Sequence, residues 1–199
     1  EKAILAARLT DRPLRPLFPK GFRNAVHVVV TVFSIDQDCP PEPLAIIGAS
    51  AALSISKIPF NGPIAAVSVG LIDGEPVINP TVEQAEASEL NLVVAGTEEA
   101  ILMVEAKAKE VSEEQIIDAL SAGHEGIKKI VQLQKEMVAQ TGQEKMEASL
   151  FEPDPGIADE VENFCVYKFK DAFQVEEKLE RELVLDQVKA DTIHHFSFY

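Results

Sequence analysis

Arginine is scarce in this 199-residue chain, and Arg8, Arg12, Arg15 and Arg23 all fall within its first 23 residues, with Arg181 as the only other. Arg12 and Arg15 belong to "DRPLRPLFPKGF" (residues 11–22), where each is followed at once by proline. A guanidinium presents planar donors that match phosphate or carboxylate oxygens two at a time. Proline disfavours helical backbone at the residue before it, so both arginines are expected on extended or polyproline backbone. In polyproline II, residues three apart share a side, which would set Arg12 and Arg15 ~9 Å apart along one edge. Stiff backbone of that kind loses little entropy when its side chains engage an anion. Arg8 lies one turn earlier, on a helix expected from Lys2 to Leu9. The other reading of these residues is structural: a carboxylate of the same domain pairs with Arg12 or Arg15 and pins the segment. Side-chain chemistry leaves both readings open.

Charge distribution sharpens the question. Lys2, Arg8, Arg12, Arg15, Lys20 and Arg23 against Glu1 and Asp11 give residues 1–23 a net charge of +4, which leaves −19 for the rest of a chain whose total is −15. A basic edge on an acidic body points to an anionic partner at one end of the chain. With 46% hydrophobic and 26% charged residues, the composition is that of an ordinary globular protein with one or two cores. No apolar run approaches the ~20 residues that span a bilayer, so no membrane partner is expected. Two cysteines, Cys39 and Cys165, are far apart and lack the spacing of a zinc site or disulfide framework, which makes a reducing, cytoplasmic setting the default. The chain opens at Glu1 inside a helical pattern and ends on "IHHFSFY" with no stop signal, so a piece of a longer protein is expected.

Other residues capable of chemistry carry weaker signals. His124 sits in "GHE", and His194 and His195 near the end, without a partner motif for general base work. The serines of "GASAALS" follow a small-residue pattern that favours close helix packing over a nucleophile. Glu98, Glu99 and Glu105 are expected at a turn and strand edge, with no spacing that demands a metal. Phosphate-cradling loops, nucleophile elbows and zinc-protease signatures are missing from the sequence.

The elements that must position these residues follow from local pattern. "AVHVVVTVFSI" (25–35) is β-branched and short, and reads as a buried strand. Residues 44–57 suit a helix buried against a sheet, and "IPFNGP" (58–63) is a turn cluster. Residues 64–72 and 75–79 flank Asp73–Gly74, a hairpin signal, and a second hairpin joins 90–96 to 100–108. Residues 80–89 connect them, with room for a short helical turn. Ser112 and Gln115 fit a capping box opening a long helix, with Ile116, Leu120, Ile127, Val131 and Val138 at helical spacing and Gly142 at its end. After Gly142 a linker-like stretch gives way to a charged, helical pattern. The expected organisation is an α+β domain over 1–142, then a linker and helical region over 143–199.

The blocks "RLTDRPLRPLFPKGF" (8–22), "IGASAALSISKIPFNGPI" (47–64), "LNLVVAGTEEAILMVEAKA" (90–108) and "GHE" (123–125), in this order and spacing, resemble bacterial-type polynucleotide phosphorylases. Likeness is close to about residue 142 and looser beyond it, where "EKLERELVLDQVKADTI" (177–193) is similar to that family's helical linker. The resemblance implies a ribonuclease PH-like (ribosomal protein S5 domain 2-like) α+β core, followed by part of an all-α domain. It implies phosphate-dependent 3′-to-5′ degradation of RNA with release of nucleoside diphosphates, reversible to polymerisation, in a magnesium-supported homotrimer. RNA, inorganic phosphate, nucleoside diphosphates and an RNA-degradation complex are the implied partners. By the same resemblance this chain is part of the first of two cores. The phosphate-holding Ser/Thr pair and the catalytic Asp and Lys belong mainly to the second core, so the chain alone is expected to be inactive, with no catalytic residue and no magnesium ligand of its own. Arg8, Arg12 and Arg15 carry over as RNA or phosphate contacts; Lys20 and Arg23 belong less strictly to the motif. The competing expectation is a non-catalytic scaffold and trimerisation core within the same ring.

Overall fold

A computed structural model describes residues 2–197. The chain divides into two compact units, Glu1–Leu150 and Phe151–Tyr199. The first unit is α+β. Four strands, β1 (Ala65–Ile72), β2 (Glu75–Ile78), β3 (Leu90–Gly96) and β4 (Ile101–Ala108), form an antiparallel sheet in the order β2-β1-β3-β4. Helices α1 (Lys2–Leu14), α2 (Glu42–Ile55), α3 (Val82–Ala87) and α4 (Glu113–Thr141) surround it, and a 3-10 turn (Arg15–Leu17) extends α1.

Both expected hairpins are present. In the β1–β2 turn Asp73 and Gly74 have φ of 52° and 82°. That left-handed pair matches the right-handed twist of the flanking strands, and glycine adopts it without a Cβ penalty. Alternation along the strands then divides the core. Val67, Val69, Leu71, Leu90, Leu92 and Val94 face Ala119, Ile127 and Val131 of α4. Ala66, Ala95 and Met103, on the other face, pack with Ile46, Ala49 and Leu53 of α2 and Leu14 of α1. The connection after β2 forms α3, with Thr81 and Gln84 in a reciprocal cap.

The long helix opens at the expected capping box, where the Ser112 side chain accepts from the Gln115 amide and the Gln115 side chain from the Ser112 amide. Its fully buried residues are Ala119, Gly123, Ile127, Val131 and Gln134, whereas Ile116, Leu120 and Val138 are only half-buried. Gly123 sets how near the helix comes. A Cβ there would lie 3.1 Å from Val69 Cγ2 and 3.4 Å from Val94 Cγ2.

Two expectations fail, each for a tertiary reason. Residues 25–35 form no ladder with any described strand, and Val29 and Phe33 are 71% and 96% exposed. β-branched composition favours extended backbone, but a buried strand also needs neighbours for its amides, and the four-stranded sheet ends at β2 and β4. The "DRPLRPLFP" segment is helical rather than polyproline. α1 runs through Arg12 and Pro13 to Leu14, and extended backbone returns only at Phe18 (φ −77°, ψ 147°). Proline inside a helix costs about 3 kcal/mol. Burying an aliphatic or aromatic side chain contributes roughly 1.5–3 kcal/mol. Leu14 is fully buried, with Leu17 and Phe18 packed beside it, and together these outweigh the local bias.

One polar cluster joins the two helix layers. Ser50 of α2, fully buried, donates to Gln134 Oε1 of α4 (2.9 Å) and accepts the Ile64 amide (2.9 Å). Gln134 Nε2 donates to the Ile64 carbonyl (2.8 Å), so the three groups close a ring just before β1. Ser50 is thus a packing residue with its hydroxyl spent on structure, in line with the small-residue reading of "GASAALS".

The second unit is a pair of helices, α5 (Pro155–Ala172) and α6 (Lys178–His195), capped by Asp154 and Glu177. Phe164 stacks on His195 with ring centroids 4.1 Å apart, and Arg181 Nη1 donates to the Val175 carbonyl (2.9 Å) in the turn between them. No strand occurs among its described residues, which leave out the last two of "IHHFSFY".

Ser50→Ala would leave the Ile64 amide and one Gln134 acceptor buried without a partner. The expected loss is about 1–3 kcal/mol in urea unfolding. A loss within error of zero would show that the buried ring does not couple the layers.

Candidate functional site

The apolar half of the "DRPLRPLFP" segment determines where its arginines go. Pro13 and Leu14 are buried, and Leu17 and Phe18 pack against the core cluster that contains Phe60 and Ile64 of "IPFNGPI". Phe18 sits between the rings of Phe22 (centroids 5.8 Å apart) and Phe60 (5.5 Å), and the Asn61 amide donates to the Leu17 carbonyl (2.8 Å). The two motif blocks are therefore one packing unit. With that side inward, Arg8, Arg12 and Arg15, spaced four and three residues apart, fall on the exposed side of the helix and its 3-10 extension. Lys20 and Arg23 are exposed as well, beyond the extension.

Their partners differ. Arg15 forks onto Asp11, one turn earlier, with Nε 3.0 Å from Oδ2 and Nη2 2.8 Å from Oδ1. Arg12 reaches β4, where Nη1 pairs with the Glu105 carboxylate and Nη2 lies 3.4 Å from the Val104 carbonyl. Arg8 is exposed and has no ion-pair or hydrogen-bond partner among the described residues. Both pairs are open to water, with side chains 46% and 59% exposed for Arg12 and Glu105, and 76% and 51% for Arg15 and Asp11. The structural alternative raised from the sequence is thus realised in geometry at Arg12 and Arg15, while Arg8 stays available.

The other candidates do not join this face. His124 Nε2 lies 3.1 Å from the Thr97 carbonyl and ties the β3–β4 turn to α4. Glu98 of the same turn pairs with Lys135, whose hydrogen bond and charge hold the carboxyl below its usual pKa. Glu125 is lowered in the same way by Lys128. Glu99 donates its amide to Thr97 Oγ1. His124 and Glu98 therefore fasten the turn to the helix. His195 is stacked in the second unit, and Cys39 and Cys165 are free thiols.

Magnesium requires several oxygen ligands converging on one point. Asp11 and Glu105, the acids beside the arginines, each hold a guanidinium, and no three of His, Cys, Asp or Glu are grouped among the described residues. The described residues therefore bring together no such set of oxygen ligands. No helix among the described residues is long and apolar enough to cross a membrane.

Sequence reasoning missed two anchors behind this face. Gln134 is the buried partner of Ser50. Lys145 donates to the carbonyls of Leu53 (2.9 Å), Ser54 (2.9 Å) and Ser56 (2.6 Å), tying the segment after α4 to the end of α2. Burial draws the Lys145 pKa below its ordinary value. A lysine at a helix C-terminus is a recognisable signal only when both lie in one stretch of sequence.

Residues 1–59 match the model of the 3′ exoribonuclease family, domain 1, and residues 62–126 match domain 2. The chain belongs to the 3′ exoribonuclease family. Within it, the chain is 57% identical over 193 residues to the polyribonucleotide nucleotidyltransferase of Geobacillus kaustophilus. It is 53% identical over 195 residues to that of Natranaerobius thermophilus, and 55% over 196 to that of Clostridioides difficile. These alignments cover 97–98% of this chain but 27–28% of the relatives, so the chain spans little more than a quarter of their length.

A double-mutant cycle on Arg12→Ala and Glu105→Ala, read by urea unfolding, is expected to give a coupling of about 1 kcal/mol or less, as exposed pairs do. A coupling of several kcal/mol would make the pair a structural clamp that phosphate could not displace.

Proposed function

We propose that this chain is the first-core portion of a polyribonucleotide nucleotidyltransferase, and that it supplies a phosphate-binding face for RNA on its way to phosphorolysis. The observation that carries this reading is the outward alignment of Arg8, Arg12 and Arg15 on a helix whose other side is locked into the core. Membership of a 3′ exoribonuclease family supports it.

Phosphodiester anions spaced along a strand need positive charge in fixed positions. Arg8 is available outright. Arg12 and Arg15 must exchange Glu105 and Asp11 for phosphate, and the existing pairs oppose that exchange only weakly, because exposed ion pairs contribute about 0–1 kcal/mol. The existing pairs then serve to hold the guanidinium groups extended until RNA arrives. Cleavage itself, in which inorganic phosphate displaces the terminal nucleotide as a diphosphate, falls to residues of the longer protein, as does the reverse polymerisation. Residues 1–142 are then part of one ribonuclease PH-like core, and 143–199 a linker and part of an all-helical domain. The full-length protein would be a cytoplasmic homotrimer supported by magnesium bound outside this chain, open to recruitment into an RNA-degradation complex, and the 199-residue chain alone would be inactive.

The Arg12–Glu105 and Arg15–Asp11 pairs favour a second reading, in which this region is a non-catalytic scaffold within the same ring. The two readings separate in the full-length protein. Arg8→Glu, Arg12→Glu and Arg15→Glu are each expected to lower phosphorolysis of an RNA oligomer by roughly tenfold or more with assembly intact, since each reverses a charge placed for phosphate. Unchanged turnover in an intact assembly would leave the scaffold reading.

A further inference from the structure

α2 is closed at its C-terminal end by a segment from elsewhere in the chain. The carbonyls of a helix's last turn lack partners within the helix, and they carry the negative end of its dipole. No left-handed glycine follows α2, which runs straight into extended backbone at Ser56 (φ −77°, ψ 169°). Ser56 turns back once with its amide, to Ala52 (3.2 Å), and once with its hydroxyl, to the Leu53 carbonyl (2.9 Å). Residues 143–146, just past α4, supply the rest. Lys145 Nζ donates to the carbonyls of Leu53, Ser54 and Ser56, matching the three donors of an ammonium group. The Gln143 amide donates to the Ile55 carbonyl (2.9 Å) and the Met146 amide to that of Lys57 (2.8 Å). Every carbonyl from Leu53 to Lys57 is thus met by this one stretch.

The same segment has a second anchor. Leu150 forms an antiparallel bridge with Phe22, whose ring stacks on that of Phe18. Between the anchors, the Asn61 amide donates to the Leu17 carbonyl. These contacts close a circuit: from Leu17 to Asn61, back to Lys57, across to Met146, along to Leu150, and through Phe22 to Leu17 again. Met146 and Leu150 are four residues apart, a reach of at most ~14 Å, which limits how far Phe22 can move from Lys57. The Phe18 amide in turn donates to the Arg15 carbonyl (3.4 Å), so the seat of Phe18 bears on the direction of Arg15.

We infer that residues 143–150 are a strap that holds the arginine block against "IPFNGPI", with Lys145 as its positioning residue. Lys145 acts through α2 and the residues after it, and its ammonium bonds to no residue of the arginine block. Removing that ammonium leaves carbonyls at a helix end without a donor and loosens the path from Ser56 to Asn61. The hold on Leu17, Phe18 and Phe22 then slackens, and Arg15 loses its fixed position. The consequence for RNA rests on the phosphate-contact reading proposed above; the strap itself does not.

Hydrogen exchange in the full-length protein reads the strap directly. Lys145→Met keeps an apolar stem and removes the donors. Amides within 54–61 and within 15–23 are expected to exchange roughly fivefold faster or more, while those of 116–138 in α4 keep their protection. Lys145→Arg, which can donate to the same carbonyls, should restore both regions. Faster exchange confined to 54–61, or spread equally through α4, would overturn the strap, as would a loss that Lys145→Arg leaves uncorrected. RNA affinity separates the strap from the reading it serves. Lys145→Met is expected to weaken RNA affinity roughly threefold and to leave turnover at saturating RNA unchanged, because only the preorganisation of Arg15 is lost. Faster exchange over 15–23 with unaltered RNA affinity would uphold the strap and contradict Arg15 as a phosphate contact.

Discussion

Burial of Pro13 and Leu14 sets the phase of α1, and the placement of Arg8, Arg12 and Arg15 follows from it. A helix has one inward side. Once Leu14, Leu17 and Phe18 are seated with Ile46, Leu53, Phe60 and Ile64, the arginines are left on the outer side, where Arg15 meets Asp11 and Arg12 meets β4. The two prolines then act less as helix breakers than as a hard stop. α1 tightens into a 3-10 turn at Arg15–Leu17 and leaves helical geometry at Phe18, where the ring locks between Phe22 and Phe60. A charged face supported this way keeps its direction without needing strong ion pairs.

The support extends beyond α1. Leu14 rests on α2, and α2 is joined to α4 and to the approach to β1 by the closed ring of Ser50, Gln134 and the Ile64 backbone. Hydrogen bonds inside such a ring are individually modest, but each becomes costly to leave unmade once water is excluded. Lys145 binds the segment after α4 to the end of α2, and His124 and Glu98 fasten the β3–β4 turn to α4. The polar residues of the recognisable motifs are thus mostly spent on holding elements together. Those of "DRPLRPLFP" that remain outward are the ones available to a ligand.

Features governed by local chemistry were legible in the sequence. Asp73–Gly74 announces its hairpin because few residues take left-handed backbone readily, and Ser112 with Gln115 announces a helix start because the cap is made three residues away. The location of the arginine cluster was equally legible from composition. Its geometry was not: proline bias points to extended backbone at Arg12, and only the burial of neighbouring side chains makes that backbone helical. Residues 25–35 show the converse. Their β-branched composition is real, but a strand is a relation between two segments. Gln134 could not be assigned either, since a glutamine in a buried phase is sensible only beside Ser50, 84 positions away. The placement of Glu105 opposite Arg12 likewise depends on strand register, 93 positions distant.

The central claim is that the α1 arginines meet RNA phosphates, and the salt dependence of RNA binding tests it most directly. In the full-length protein, log affinity for a short single-stranded RNA should fall linearly with log salt, with a contribution of about −0.7 per phosphate neutralised. Replacing Arg8, Arg12 and Arg15 together by alanine should flatten that slope by about 2 if all three contacts are made. An unchanged slope in a correctly assembled protein would contradict the claim and leave these arginines as structural residues.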